Sequence, residues 1–304
     1  MFRFGLCVLA ALVAFSFPVM AQERTTLGVG RLFVNDAMGD GQDRWRTGAH
    51  TISVMRGPEG MQSRPGQYGV LMEYRFANRI MAPSNLVSPA VWDRRYAGML
   101  SFGAYSHFAR DGFEYTVGSE FVAVGPMTGL GRFQSAVHDL IGMEAPGAGT
   151  LANQIPNAIY PTLAFEIAKP FPIGNAVLRP FLQGRAGDET YLRAGADLLI
   201  GSNFTTGILV RDETTGVLYQ TLEDVPQTGL SFLLGGDVAK VFHSAYLPAS
   251  DGYALTPLRY RLRAGLHYQG EKAGVFYGLT WLGREFTAQP EGQLVGALQV
   301  QFHF

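Results

Sequence analysis

The chain alternates apolar and polar positions over much of its length, most clearly from Leu294 to Phe304. There Leu294, Gly296, Leu298, Val300, Phe302 and Phe304 share one face of an extended strand, while Val295, Ala297, Gln299, Gln301 and His303 share the other. Side chains on a strand repeat every second residue, so this is one apolar, aromatic-tipped face and one that grows polar. A strand greasy outside and wetter inside suits the wall of a β-barrel in a bilayer. Bacterial outer-membrane barrels commonly end on such a phenylalanine.

The same alternation recurs upstream. Tyr68, Val70, Met72, Tyr74 and Phe76 oppose Glu73 and Arg75; Phe113, Tyr115, Val117 and Phe121 oppose Glu114 and Glu120. Leu192, Ala194, Ala196 and Leu198 oppose Arg193 and Asp197, and Tyr260, Leu262, Ala264 and Leu266 oppose Arg261 and Arg263. A soluble sandwich turns its charges outward, and a lipid-embedded barrel turns them into the lumen. The alternation is compatible with both. Run lengths of about 10 residues favour the membrane. The predicted fold is all-β: a transmembrane antiparallel up-and-down β-barrel of about twelve strands. They lie near 25–35, 46–56, 67–77, 96–108, 113–125, 160–169, 176–187, 190–201, 230–242, 258–269, 273–286 and 293–304. An even count leaves both ends in the periplasm. Segments 36–46, 78–95 and 126–159 then become extracellular loops. Residues 202–229 are too long for a periplasmic turn and have room for an extra hairpin.

One stretch breaks the period. In Leu130 to Ile141 (LGRFQSAVHDLI), Phe133, Val137, Leu140 and Ile141 form a stripe at helical spacing. Gly142 is a stop signal. Gln134 and His138, four residues apart, share a face beside the stripe. A short helix in an extracellular loop would pack its stripe on the barrel and aim His138 at a groove beside the wall.

Composition refines the address. Met1 to Ala21 reads as a secretory signal, with Arg3, an apolar run from Leu6 to Phe17 and a small-residue site ending at Ala21, which leaves 22–304 as a single barrel domain. Cys7 is the only cysteine and lies in that signal, so the mature chain has no thiol for disulfides, zinc or nucleophilic catalysis. The formal net charge of −1 points to no nucleic acid or other polyanion. The 38 glycines and 12% aromatic residues fit tight turns and interfacial girdles.

Two polar clusters carry candidate chemistry. His138 is the likeliest general base near neutral pH, although a lone histidine is more often structural. Asn35 and Asp36 end the first strand and precede the loop Gly39-Asp40-Gly41-Gln42-Asp43-Arg44, with Thr47 opening the second strand. Closely spaced Asp and Asn oxygens can hold Ca²⁺, and they also make ordinary Asx-rich turns.

An ordered set of motifs then stands out. It runs Val34-Asn35-Asp36, Asp43-Arg44-Trp45-Arg46-Thr47-Gly48, Ala82-Pro83-Ser84 and Asp93-Arg94-Arg95-Tyr96-Ala97-Gly98. It continues with Val124-Gly125-Pro126, Gln134…His138-Asp139-Leu140-Ile141-Gly142 and Asn153-Gln154-Ile155. By this set the chain resembles the outer-membrane lipid A 3′-O-deacylase family, over essentially the whole mature chain and most densely from Asn35 to Asn157. The resemblance implies a twelve-stranded barrel with its site at the outer leaflet. It implies Ca²⁺-assisted hydrolysis of the ester holding the 3′-linked acyloxyacyl group of lipid A, within lipopolysaccharide. His138 matches the family's water-activating base, and Asn35 and Asp36 its first-strand polar pair, with Asp36 placing the Ca²⁺. Thr47, Gln134 and Glu144 match further site residues. The family's substrate-contacting lysine after the Pro-Ser pair is missing, since Asn85 to Trp92 contains none. Arg79, Arg94 or Arg95 are the candidates to meet a lipid A phosphate instead. The alternatives are an outer-membrane phospholipid esterase and a non-catalytic barrel, either a channel or a structural protein.

Overall fold

The computed structural model describes residues 24–204, 207–222 and 228–302. The segment expected to be a signal, Met1 to Ala21, and Phe304 lie outside the described residues. Twelve long strands form one closed antiparallel sheet: β1 (Thr25–Asn35), β2 (Trp45–Gly57), β3 (Leu71–Ala82), β4 (Ala97–Arg110), β5 (Phe113–Val124), β6 (Ala158–Ala168), β8 (Ala176–Ala186), β9 (Glu189–Ile200), β12 (Gly229–Ser244), β13 (Arg259–Gln269), β14 (Ala273–Leu282) and β15 (Gln293–Phe302). A short β7 (Phe171–Ile173) extends β8, the β6–β8 and β1–β15 pairings help complete the ring, and no edge of the wall is left open.

The faces follow the alternation. Phe76, Phe102, Phe121, Leu163, Leu192 and Leu262 are exposed on the outer surface. Charged partners line the interior. Arg263 bridges Asp197 at 2.6 Å and Asp237 at 2.5 Å, Arg211 bridges Glu166 at 2.7 Å, and Arg75 pairs with Glu73 at 2.7 Å. Buried charges persist only when paired and hydrogen-bonded, which this lattice of arginines and carboxylates provides.

Segment 202–229 does contain a hairpin, and it folds inside the barrel. β10 (Ile208–Arg211) and β11 (Leu218–Leu222) pair with each other and enter the lumen from the rim that carries the short turns. Tyr219 Oη lies 2.7 Å from Ser53 Oγ on β2, and Gln299 Nε2 on β15 donates to the Gln220 carbonyl at 2.7 Å. Val217, Leu218 and Tyr219 join Leu32, Val34 and Phe276 in an apolar cluster. A Cβ at Gly28 or Gly30 would strike the β11 backbone, so these glycines admit the hairpin against β1. The pockets flanking it are small, about 40 Å³ and 20 Å³.

The third strand departs from expectation. The alternation suggests 67–77, whereas β3 runs from Leu71 to Ala82. Asn78, on the outward face, interrupts the apolar period there. Arg79 is therefore part of the wall, with its side chain turned to the lumen.

Candidate active site

The site sits at the rim formed by the long loops, between the ends of β1–β3 and the helix Leu130–Ile141. β1 ends at Asn35, whose Oδ1 accepts from the Ala37 N–H at 2.7 Å and caps a short 3-10 turn, Asp36–Met38. That turn buries Asp36. Its Oδ2 accepts from the Arg44 backbone N–H at 2.8 Å and from Gln293 Nε2 at 3.3 Å, and its Oδ1 from the Thr47 hydroxyl at 3.0 Å. Burial pushes the Asp36 carboxyl up to about 8; the hydrogen bonds from Arg44 and Thr47 oppose this, and the charges of Asp43 and Asp40 add to it.

Local backbone irregularity turns the second strand toward this carboxylate. The β2–β3 register shifts between Arg46 and Gly48, the mark of a bulge. Arg46 points into the barrel and bonds Glu285 at 2.5 Å, while the next side chain, Thr47, bonds Asp36 and Asp43. Trp45, just before the bulge, has φ +52, in the left-handed region that costs a bulky residue on the order of 1–3 kcal/mol. Its ring is fully buried and its Nε1 donates to Asp93 Oδ1 at 3.2 Å, which holds the strained turn.

The helix carries His138 to the site. As expected, His138 faces a groove beside the wall, but the stripe is not packed tightly on the barrel: Leu130, Gly131, Gln134 and His138 are buried, whereas Phe133, Leu140 and Ile141 are exposed, Leu140 by 85%. Of the apolar stripe, Leu140 points away from the protein, while Phe133, Val137 and Ile141 border the cleft beside the wall, and the polar face lies against the protein. Leu130 anchors the helix in a cluster with Ile80, Ala82, Leu86 and Tyr96. Gly142 ends it at φ +73, the left-handed cap for which glycine is suited. The chain then folds back so that His138 Nδ1 donates to the Glu144 carbonyl oxygen at 2.8 Å. A carbonyl only accepts, so Nδ1 carries the proton and Nε2 is the basic nitrogen. Nε2 lies 3.1 Å from Asp43 Oδ2.

Asp43 is the residue that joins the two halves. It also accepts from Thr47 Oγ and, at 3.2 Å, from Gln134 Nε2. Its role was not evident from its position in an acidic loop; the available signal was its place at the head of the Asp43-Arg44-Trp45-Arg46-Thr47-Gly48 motif. Gln293, from the far end of the chain, carried no local signal.

Of the expected residues, Asn35, Asp36, Thr47, Gln134 and His138 converge. Glu144 brings only its backbone carbonyl, and its side chain is exposed. The three arginines do not line the cleft. Arg79 is buried in the lumen near Glu213, Arg94 is buried against Glu285 at 2.5 Å, and Arg95 is spent on the carbonyls of Asn153 and Gln154 and on Asp251. Arg94 and Arg95 are engaged by their partners and Arg79 is turned into the lumen, so none of the three lies on the cleft, which corrects their assignment as phosphate contacts.

The cleft holds about 250 Å³. Phe33, Ile80, Phe133, Val137, Ile141 and Met143 line its apolar length, and the aspartates, Thr47, Gln134 and His138 close its polar end. Oxygen acceptors outnumber donors there. The Thr47 hydroxyl has one proton for two carboxylates, and Gln134 Oε1 is buried without a partner. Such a surplus fits a hard cation that takes carboxylate, amide and hydroxyl oxygens. No group of three or more His, Cys, Asp or Glu side chains is disposed to hold a metal ion among the described residues, so neutral oxygens would have to complete its shell.

Comparison with known proteins agrees with the fold. The structure is similar to that of LpxR from Salmonella typhimurium, with a TM-score of 0.73 and 18% identity, covering 91% of this chain and 100% of that one. The NanC porin aligns with a TM-score of 0.42 and 6% identity over 91% of this chain and all of that one, too distant to carry an argument. No curated protein sequence matches. A family model described as outer membrane protein LpxR matches residues 6–304. The protein is therefore an outer-membrane barrel, and the chain belongs to the LpxR family, the lipid A deacylase family that its motifs resemble.

Proposed function

We propose that the protein hydrolyses the ester linking the 3′ acyloxyacyl group to lipid A in the outer leaflet. The observation that carries this reading is His138. Its Nδ1 is pinned by the Glu144 carbonyl, its Nε2 faces Asp43, and both stand at the polar end of an apolar cleft beside the wall. Ester hydrolysis needs a deprotonated water and relief of the charge that grows on the carbonyl oxygen. Nε2 takes the proton from water as the water oxygen bonds to the acyl carbon. The imidazolium so formed meets the Asp43 carboxylate. When the bond to the sugar oxygen breaks, Nε2 returns the proton to that oxygen, leaving a free acid and a sugar hydroxyl. Asp36 and Asp43, with Gln134 Oε1 and Thr47, are the residues that would hold Ca²⁺, which supplies Lewis-acid stabilisation of the oxyanion when bound. The apolar lining accommodates the acyl chain and keeps bulk water from the reacting bond.

The test compares lipid A by mass spectrometry from cells lacking the protein and from cells expressing wild type or His138→Ala. Wild type removes one acyloxyacyl group, and the folded variant removes none. Unchanged lipid A with folded wild-type protein and Ca²⁺ present overturns the assignment.

A further inference from the structure

The luminal lattice matches every buried arginine among the described residues to a carboxylate, with one exception. Toward the outer rim, Arg46 and Arg259 share Glu189 and Glu285. Arg193 and Arg261 share Asp237, and Arg185 meets Glu120 and Asp188. Arg79, on β3, is 6% exposed and ion-pairs with no described carboxylate. The carboxylate it acts on electrostatically, Glu213, stands at the tip of the β10–β11 hairpin and already accepts from Tyr191 Oη at 2.7 Å and from Gln183 Nε2 at 3.2 Å. A buried charge left without its counterpart is costly.

Arg79 lines the luminal pocket of about 40 Å³ between the hairpin tip and the outer ends of β8, β9 and β13. One water takes up about 10–15 Å³ of such space, so it has room for about three waters or one small tetrahedral ion. Its walls are rich in free donors. Nε of Arg79, Arg193 and Arg259, Nη1 of Arg185, Nη2 of Arg261 and the Thr214 hydroxyl are buried without a hydrogen-bond partner, and all six side chains line the pocket. Water accepts such bonds but leaves the charge unbalanced. A halide balances the charge but lacks several oxygens to meet divergent guanidinium donors. A phosphate-class oxyanion does both.

We infer that the outer lumen binds a small phosphate-class oxyanion, held by Arg79 with Arg185, Arg193, Arg259 and Arg261 at the hairpin tip. The closed wall separates this pocket from lipid, so the ligand is a water-soluble ion and not a lipid headgroup. Bound there, it ties Thr214 to three strands of the wall and stabilises the plugged barrel. The inference is independent of the hydrolase reading.

The probe is inorganic phosphate, with chloride at equal ionic strength as control, on full-length protein purified in detergent without phosphate or sulfate. Ion carried through purification is assayed after denaturation. Wild type should retain phosphate, or bind it saturably by calorimetry with a rise in melting temperature. Arg79→Gln should bind at least about tenfold more weakly, because a charged hydrogen-bond donor is lost. It should melt no lower than wild type in chloride, because no ion pair is broken. Glu213→Gln removes a competing negative charge and should bind more tightly. Arg110→Gln, on an exposed turn, should bind as wild type does. Wild type that neither retains nor binds phosphate overturns the inference. So does Arg79→Gln that binds equally well or melts well below wild type in chloride, or Arg110→Gln that loses binding. Should Arg79→Gln fail to fold, Glu213→Gln decides, and binding unchanged or weakened there overturns the inference.

Discussion

Replacing Asp43 with Asn removes a charge while preserving shape and, assayed at saturating Ca²⁺ so that weaker cation binding does not limit the rate, it probes the contact across the cleft. Asp43 Oδ2 lies 3.1 Å from His138 Nε2, and the Asp43 side chain is 17% exposed, His138 8%. At 3.1 Å, two unit charges in an effective dielectric of ~20 attract by about 5 kcal/mol. That bounds the interaction from above, because the partly exposed carboxylate retains some of its hydration. Hydrogen bonds to charged groups contribute about 1.5–3 kcal/mol net. In the proposed scheme His138 becomes charged only on taking the proton from water, so the loss would fall on the transition state and appear in kcat. Asp43→Asn should slow turnover by between about tenfold and about 150-fold. The side-chain oxygen can still accept from Thr47 and Gln134, so the fold should hold. Purified protein assayed on lipid A by mass-spectrometric time course, with the melting temperature as control, measures this. A variant with full turnover would show that the aspartate does not meet a charge formed during the reaction, and the proton-transfer scheme would fail.

Glu144→Ala should retain activity within about twofold in the same assay, because only the backbone carbonyl of Glu144 touches His138; a loss as deep as that of His138→Ala would mean that its carboxylate acts directly. Leu140→Asp should leave the melting temperature in detergent nearly unchanged, within about 0.5 kcal/mol, since Leu140 contributes no buried surface to the barrel. Activity on lipid in bilayers should nevertheless fall, and equal activity in both settings would argue that the helix does not meet the membrane. Chelation of Ca²⁺ should abolish hydrolysis and re-addition should restore it; full activity in excess chelator would remove the cation from the scheme.

Strand alternation made the wall legible because a barrel in lipid imposes two different solvents on neighbouring side chains. It failed at β3 for the same reason, since the outward Asn78 looks like the end of a strand. The luminal hairpin was visible only as excess length between β9 and β12. Short strands of mixed polarity, satisfied by Ser53, Gln299 and buried arginines, have no period of their own. The helix was readable in its bounds but not its orientation: periodicity identifies an apolar face without stating whether protein or lipid covers it. His138, Gln134 and Asp36 were legible as residues of suitable chemistry in the right order. The bulge at Thr47 and the turn strained at Trp45, which bring that hydroxyl to both aspartates, depend on backbone geometry that single residues do not announce.

The exposed apolar edge of the helix, Phe133, Leu140 and Ile141, has a consequence for traffic. With oil on the far side of the helix and wall on the near side, the crevice is a side door. On the proposed function, a long-chained substrate would reach His138 by drifting within the membrane plane without leaving its leaflet, while the attacking water would descend from the aqueous rim. The two reactants arrive from perpendicular directions and from separate phases. Encounter frequency is then set by lipid lateral diffusion and by how crowded the neighbouring leaflet is, rather than by concentration in solution.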